Sequence, residues 1–469
     1  MKESSVKWCA VNLSDIISRG KRLEASVFDV EAKQARQIIQ TCKYPTTTIG
    51  GENGLTTSYT CARFKRIWLK KSDFSIFQPS SITDIKPSPD GYISRLTNTN
   101  IDKLRVKKGQ ILMTCSGTIG KVSYVSKTLD NQIFSHDLLR IDCNMPCDTG
   151  YIYVYLKSKI GNKILLTNSY GAVITHIEPE HLATVPVPNA PAEIKGKIND
   201  LIVRSYNLRD ESNDLIDEAT ALLVQELKLP AIESFNTYMI NGVESFSVKL
   251  SRLNHRADAS YHLPCVDKLI QHLNDYSDEI VTIGDIRVSR AVVLPGRFKR
   301  VYVDENNGTV LFGGKQMLEL DPSGKKYLST AKHDKRMIGQ LQIEENTTLI
   351  SRSGTIGKVT LVPKHWENWV ASEHIIRIIP ASNEIAGYIS VFLSSDYGYQ
   401  LITHFTYGSV VDEIDDNHVR EIPFPLLKNK ELQKQINDLA LLANKKRFEA
   451  YCLEQEALKV LNDEVIFAK

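Results

Sequence analysis

The stretch CSGTIGKVSYV (residues 115–125) recurs as RSGTIGKVTLV (352–362), 237 residues further along the chain. At the same spacing Ser135-His136-Asp137-Leu138-Leu139-Arg140 matches Ser372-Glu373-His374-Ile375-Ile376-Arg377, and Gly150-Tyr151-Ile152 matches Gly387-Tyr388-Ile389. Tyr170-Gly171 matches Tyr407-Gly408, and Pro186 and Pro188 match Pro423 and Pro425, so residues 116–188 align with 353–425 without a gap. Upstream, Arg63-Phe64-Lys65-Arg66 recurs as Arg297-Phe298-Lys299-Arg300; downstream, Ile198-Asn199-Asp200-Leu201 recurs as Ile436-Asn437-Asp438-Leu439. Ordered matches with so little drift in spacing are a tandem duplication, and self-similarity at a fixed period fixes the architecture before any local reading does.

The 469 residues are then one unit of about 235 used twice, long enough for real cores at 42% hydrophobic residues. The same figures exclude disordered and collagen-like classes. No run of about 18 apolar residues appears. The opening MKESSVKWCAVNLSDI lacks the apolar core of a signal peptide. The eight cysteines, Cys9 among them, have no regular spacing and fit cytosolic thiols; Cys143 and Cys147 have no partnering Cys or His pair at zinc spacing, so no metal is expected. Against 58 basic residues stand 55 acidic ones, a net charge of +3 that names no partner.

Each repeat has the same internal order. Short mixed segments come first, then strand-like stretches such as Lys121–Val125 and Lys358–Val362. A Pro-x-Pro pair ends the globular part, because proline blocks helix and inner strand alike. A long proline-free helix follows, roughly Ala192–Leu227 in the first repeat and Lys430–Ile466 in the second. In the first, Ile198, Leu201, Ser205, Leu208, Ser212, Leu215, Ala219 and Leu222 alternate by three and four; in the second, Ile436, Leu439, Ala443, Lys446, Ala450, Leu453, Ala457 and Val460 do so. Small residues in the middle of each seam, Ser205, Ser212 and Ala219 in one and Ala443, Ala450 and Ala457 in the other, permit close approach. The two helices are expected to pair antiparallel rather than each packing only on its own domain. At 1.5 Å per residue, about 35 residues make a rod roughly 50 Å long.

Reactive constellations are missing. SGTIGK is not a nucleotide loop, since Cys115 and Val122, or Arg352 and Val359, stand where a P-loop needs Gly and Ser or Thr. Nor is there a G-x-S-x-G, H-E-x-x-H or G-x-G-x-x-G motif, or the Asn- or Asp-Pro-Pro-aromatic signature of amino-methyltransferases. Ser135-His136-Asp137 and Ser372-Glu373-His374 differ in order and read as strand residues, whose neighbours point to opposite faces. The paired SGTIGKV reads as a tight turn into a strand, with glycine supplying the backbone angle. A second reading adds Ser116, Thr118 and Lys121, and Ser353, Thr355 and Lys358, as phosphate donors.

The cations are more telling. Arg63-Phe64-Lys65-Arg66-Ile67-Trp68-Leu69-Lys70 and Arg297-Phe298-Lys299-Arg300-Val301-Tyr302 interleave charge with aromatics, as a strand presenting Arg63 and Lys65 on one face would. Arginine is the favoured reader of guanine, and Arg or Lys the partner of phosphate. A solvated edge strand with long side-chain stems is the plain alternative. Between the shared flanks, residues 72–102 and 304–339 barely resemble each other, which suits two modules on one scaffold reading different targets.

Two globular parts each followed by a long helix, with SGTIGKV, a later Tyr-Gly-x-x-x-x-x-Ile and a closing Ile- or Val-Pro-x-Pro, resemble the specificity subunit of type I restriction–modification enzymes. The resemblance spans essentially the whole chain; Ala172–His176 and Ser409–Glu413 stand where family members often carry Gln or Asn. It implies an α+β fold of two pseudo-two-fold related target-recognition domains separated by an antiparallel coiled coil. The expected division is a first recognition domain at 1–190, a central helix at 191–228, a second recognition domain at 229–427 and a C-terminal helix at 428–469.

The resemblance also implies a cytoplasmic, non-catalytic subunit that binds a bipartite, asymmetric site on double-stranded DNA. It would dock two methyltransferase subunits, which bind S-adenosylmethionine, and restriction–translocase subunits can join. This chain would hold no cofactor and no metal. The expected DNA contacts are Arg63, Lys65, Arg66, Lys70, Arg95, Asn98, Ser116, Thr118 and Lys121, with Arg297, Lys299, Arg300, Lys315, Gln316, Lys326, Ser353, Thr355 and Lys358 in the second repeat. The coil is expected to rest on Ile198, Leu201, Leu208, Leu215 and Leu222 against Ile436, Leu439, Leu453 and Val460. Two other classes compete: a stand-alone methyltransferase or nuclease, which would itself bind S-adenosylmethionine, and a coiled-coil adaptor indifferent to loss of the basic clusters.

Overall fold

The computed structural model describes residues 8, 10–18, 21–171, 173–235, 239–240, 243–253, 256–408 and 410–468. Cys9, Ala172 and Ser409 lie outside them. The chain divides into two compact units, residues 1–210 with 449–469, and residues 211–448. Both are α+β.

In the first unit the apolar run Ile111–Thr114 is a fully buried strand, flanked by Leu138–Cys143 and Val122–Tyr124, with Thr56–Tyr59 completing an antiparallel four-stranded sheet. A smaller sheet follows the order Trp68–Leu69, Gly91–Ile93, Ser75–Phe77, Ile133–Phe134, its last pairing parallel. The second unit repeats both. Its large sheet runs Ser289–Val293, Ile375–Pro380, Thr348–Ser351, Val359–Leu361; its small one runs Tyr302–Val303, Lys326–Ser329, Gly308–Phe312, Val370–Ala371. The Pro-x-Pro segments are edge strands, Pro186–Pro188 on Thr46–Thr48 and Pro423–Leu426 on Glu279–Thr282.

A buried arginine ties the two sheets of each unit. Arg140, wholly buried, donates to the carbonyls of Leu138 (3.2 Å), Leu104 (3.0 Å) and Phe134 (3.3 Å). Arg377 does the same to Ile375 (2.9 Å), Leu341 (3.2 Å) and Ala371. Burial pushes the Arg377 guanidinium down to about 9 against the weaker opposing pull of the Glu373 charge.

The long helices run Ala192–Glu226 and Lys430–Val460, the latter continuing as a π-helical Leu461–Ile466. The boundary between the units falls inside both. Within the first unit Ser205 Oγ donates to the Ala450 carbonyl (2.7 Å) and Lys197 pairs with Glu464 (2.6 Å); within the second, Lys446 pairs with Glu211 (2.5 Å). In the first unit one number falls as the other rises, so the segments pair antiparallel there.

The seam is narrower than its spacing suggests. Ile198, Ser205, Ser212 and Ala219 are buried, as are Ile436, Ala443, Ala450, Ala457 and Val460, whereas Leu201, Leu208, Leu215, Leu222, Leu439, Lys446 and Leu453 are half-exposed. A second stripe takes their place: Ile202 and Tyr206 pack into the core of the first unit, and the Tyr206 hydroxyl meets Tyr153 (3.1 Å) and the Tyr124 amide (3.2 Å). Asp210 accepts from Ser126 (2.8 Å) and Thr128. Each helix therefore packs on its own globular part as well as on the other helix.

Gly150 shows how close that packing is. A Cβ there would lie 2.5 Å from the Asn199 backbone, and the Asn199 side chain accepts from the Gly150 amide (3.0 Å). Gly387 and Asn437 repeat the contact at 2.3 Å and 2.9 Å.

Candidate nucleic-acid interface

Three segments meet on one surface in each unit. The SGTIGK turn links Ile111–Thr114 to Val122–Tyr124, with φ of 71° at Gly117 and 82° at Gly120; the second copy has 77° at Gly354 and 81° at Gly357. These left-handed angles are what glycine alone adopts at little cost. Nothing lies near the Cβ position of Gly117, which is at the open tip of the turn, while Gly120 backs onto Asn162 of the helix Lys159–Leu166.

A narrow ladder is zipped onto this turn. Tyr170 and His176 exchange backbone hydrogen bonds (2.9 and 2.7 Å), Gly117 N donates to the Thr175 carbonyl (3.1 Å), and Ile177 N to Cys115 (2.9 Å). Tyr407 and Glu413 repeat the exchange (3.0 and 2.8 Å), with Ile414 N on the Arg352 carbonyl (3.1 Å). At both tips apolar side chains face solvent, Val173 and Ile174 in one and Val410 and Val411 in the other.

The basic-aromatic segment is the third element, and here the strand expectation needs correcting. Only Trp68–Leu69 and Tyr302–Val303 are strands; residues 61–67 and 295–301 are irregular. Charge alternation mimics a strand period, but the backbone finds a ladder partner only where Trp68 and Leu69 meet Ile93 and Tyr92. Aromatics anchor the rest: Phe64 packs against the small-sheet core and lies edge-on to His136 (5.4 Å between centroids). The Arg66 guanidinium lies over Phe64 (5.8 Å) and Trp68 (5.9 Å), and Arg300 over Phe298 (5.9 Å).

Ser135–Asp137 and Ser372–His374 are not strand residues either. They form the tight connections between Ile133–Phe134 and Leu138–Cys143, and between Val370–Ala371 and Ile375–Pro380, which brings His136 and Glu373 to the basic segment.

In the second unit three arginines of this surface face carboxylates. Arg300 binds Glu373 (2.7 Å), Arg352 binds Glu413 (2.6 Å), and Arg297 reaches the other Glu413 oxygen at 3.9 Å. Burial would raise the Glu373 carboxyl, but the Arg300 hydrogen bond, a backbone hydrogen bond and the Arg300 and His374 charges together outweigh it and hold the group below its usual range. In the first unit the matching places hold His136 and His176. Burial, with Arg66, Arg63 and Arg140 nearby, lowers the His136 imidazole against the opposing pull of Asp137, 3.3 Å away.

Among the expected contacts, Arg63, Lys65, Lys70, Thr118, Arg297, Lys299 and Thr355 are exposed, and Arg66, Arg300, Ser116, Lys121 and Lys358 are half-buried. Arg95 and Asn98 are exposed on a turn held to Ile67 by the Ser94 amide (2.8 Å). Lys326 is exposed and stands over the Tyr302 ring (5.4 Å). Lys315 is exposed on the turn after Gly308–Phe312; Gln316 braces that turn, donating to Ser323 (3.2 Å). Ser353 is already engaged, its hydroxyl 2.8 Å from His374 Nδ1.

Sequence reasoning missed the helix Thr330–Arg336, where Lys332 and Lys335 are exposed and Arg336 covers Phe298 (5.1 Å). The first unit has only the 3-10 turn Ile101–Leu104 between the matching strands. The run TAKHDKR carried the signal, a short cationic helix without an apolar face. Among the described residues no cluster of His, Cys, Asp or Glu could hold a metal, no helix is long and apolar enough to cross a membrane, and no cysteine is in a disulfide.

Residues 302–439 match the family described as the type I restriction modification DNA specificity domain. The chain is similar in structure to the S subunit of a type I restriction–modification system from M. genitalium, at 16% identity and a TM-score of 0.35 over 90% of this chain and 96% of that one. It is similar also to the HsdS subunit from Thermoanaerobacter tengcongensis, at 13% identity and a TM-score of 0.27 over 88% and 98%. No curated protein matches the chain.

Proposed function

With a type I restriction–modification DNA specificity domain in residues 302–439 as the premise, we propose that the chain is a DNA-recognition subunit that reads a bipartite, asymmetric site and carries methyltransferase subunits onto it. The observation behind this reading is the duplicated surface of SGTIGK turn, ladder and aromatic-anchored arginines, whose flanks agree between repeats while the segments between them differ. Phosphate contacts position a protein on DNA without specifying sequence, and exposed Arg63, Lys65, Arg297 and Lys299 suit that role. The dissimilar segments, 72–102 and 304–339, then read unlike half-sites.

The rest of the proposal follows the resemblance. The recognition domains are assigned to 1–190 and 229–427 and the helical segments to 191–228 and 428–469, with roughly 50 Å of helix spanning more than one B-DNA turn of about 34 Å. Methylation chemistry and S-adenosylmethionine belong to the methyltransferase partners, two per chain; a restriction–translocase subunit can join them in the cytoplasm.

Single-molecule methylation mapping of cells that carry the chain and its methyltransferase tests the reading. One split motif modified in both halves is expected, and its loss on deletion of this chain. Methylation unchanged by deletion refutes the reading. In binding assays with the assembled complex, replacing Arg63, Lys65, Arg297 and Lys299 by Gln should weaken DNA binding and flatten its salt dependence. An adaptor that binds only proteins would be unaffected.

A further inference from the structure

The two copies of this surface agree in backbone and differ in how their arginines are held. The ladder places His176 and Glu413 identically, each bridged to the serine of its own SGTIGK turn and to its own ladder tyrosine: Ser116 and Tyr170 in one, Ser353 and Tyr407 in the other. His136 and Glu373 likewise occupy the same step of the connection between the small and large sheets. At both places a carboxylate of the second repeat is exchanged for an imidazole in the first; at the step after His136 and Glu373 the exchange is reversed, Asp137 standing against His374, and Asp137 faces His136 (3.3 Å).

The exchange changes what the arginines can do. In the second unit the Arg300 guanidinium is fixed from two sides, by the Phe298 ring at 5.9 Å and by Glu373 Oε2 at 2.7 Å. The Glu373 side chain is itself 9% exposed, so the strut is built into the body of the unit. Arg352 is held on Glu413 at 2.6 Å, with a further hydrogen bond to the Ile414 carbonyl (3.1 Å), and the second Glu413 oxygen faces Arg297. In the first unit Arg66 rests on rings alone, and both Arg66 Nε and His136 Nδ1 are buried without a hydrogen-bond partner among the described residues.

A guanidinium held by a carboxylate presents its remaining donors as a rigid fork, the geometry that matches the two acceptors of guanine in the major groove. One resting on aromatic rings keeps its charge but not its orientation, which suffices for phosphate. We infer that Glu373 and Glu413 are positioning residues that lock Arg300 and Arg352 for base readout in the second repeat, whereas the histidine-bearing first repeat uses Arg63 and Arg66 chiefly for backbone contact. This rests on the DNA-recognition reading above and adds which half of the site carries arginine-read guanines.

The test uses the full chain assembled with its methyltransferase subunits. The cognate duplex is first selected from a random-sequence pool; its affinity is then compared with duplexes carrying single base-pair changes in each half. Glu373→Gln and Glu413→Gln keep the shape and remove the strut charge. Each should lower discrimination at one or two guanines of the second half roughly ten-fold, the scale of a lost bidentate contact, and leave the first half and the salt slope as they were. Arg300→Lys, which keeps the charge and loses the fork, should give the same pattern and guards against misfolding at the buried glutamate. If the variants shift cognate and altered duplexes by one common factor, the carboxylates act only through bulk charge and the inference is overturned. If the unaltered complex selects no motif at all, the DNA-recognition reading falls and the inference with it.

Discussion

Glu454 offers the sharpest test of how the helices hold the first unit. The carboxylate is wholly buried; it accepts from Lys157 (2.8 Å), from Arg209 of the long helix (2.5 Å) and from the Tyr153 hydroxyl. Burial alone would raise its protonation midpoint. The Lys157 and Arg209 charges and the Tyr153 hydrogen bond outweigh it and bring it from 4.5 down to about 2. At about 1.4 kcal/mol per unit, that depression corresponds to roughly 3 kcal/mol of stability in the ionised form. Breaking a buried ion pair by removing one partner costs about 3–5 kcal/mol, so two independent routes agree. Glu454→Gln keeps the shape and strands both cations. In a unit of this size each kcal/mol moves the midpoint by about 2–4 °C. The variant should therefore melt about 6–12 °C lower in the transition of the first unit, followed by near-ultraviolet circular dichroism or calorimetry. The sign with pH is fixed as well. A depressed carboxylate stabilises fully above pH 4.5 and loses that contribution as pH falls toward 2, so the gap between native and variant chains should close over that interval. A loss below about 1 kcal/mol, or a gap that persists at pH 2, would show that the cluster is not the ionised network described.

Gly387→Ala should destabilise the second unit by about 1–3 kcal/mol, because the added carbon would sit 2.3 Å from the Asn437 carbonyl oxygen; urea titration reads it, and an unchanged midpoint contradicts the close approach. Ser205→Leu should cost at least as much, since the hydroxyl is wholly buried on the Ala450 carbonyl at 2.7 Å; differential scanning calorimetry decides. Arg377→Met removes the donor shared by three carbonyls and should cost about 3 kcal/mol or more in urea unfolding. A stabilised variant there would mean that the buried charge is the larger burden.

What was legible in the sequence is what the backbone demands of particular residues. The glycines of both SGTIGK turns need left-handed angles, the Gly150 and Gly387 positions admit no Cβ, and the Pro-x-Pro strands can lie only at a sheet edge. Such demands fall identically on both copies, so they survive as visible repeats. The long helices were legible to within a few residues because proline and glycine are nearly excluded from them. The seam was half-legible. Its small positions are buried, but three-and-four spacing cannot say whether the next leucine turns to the other helix or to the domain beside it, and Ile202 and Tyr206 took the second place. The basic segment misled for a related reason. Alternation marks which side chains are wet, not whether the backbone has a strand beside it, and only Trp68–Leu69 and Tyr302–Val303 join a ladder.

The exchange of Glu373 and Glu413 for His136 and His176 stands in plain view once the repeats are aligned, yet the alignment gives it no meaning. Each pair looks like surface drift until the fold brings residues more than 70 positions apart, Arg300 and Glu373, within 2.7 Å. That contrast separates two kinds of constraint acting on one duplicated scaffold. Where a residue answers to its own backbone or to the buried core, as Arg140 and Arg377 do, both copies keep it. On the surface proposed to meet DNA the copies part, and they part in coupled sets. At the two places in question the carboxylates Glu373 and Glu413 stand in the repeat where Arg300 and Arg352 are paired, and the imidazoles His136 and His176 in the other. On the reading proposed above, two modules meeting different sequences would require a coupled change of this kind, because a locked guanidinium helps only at a base it fits and is a penalty at any other. Surface drift would have no reason to move both positions together.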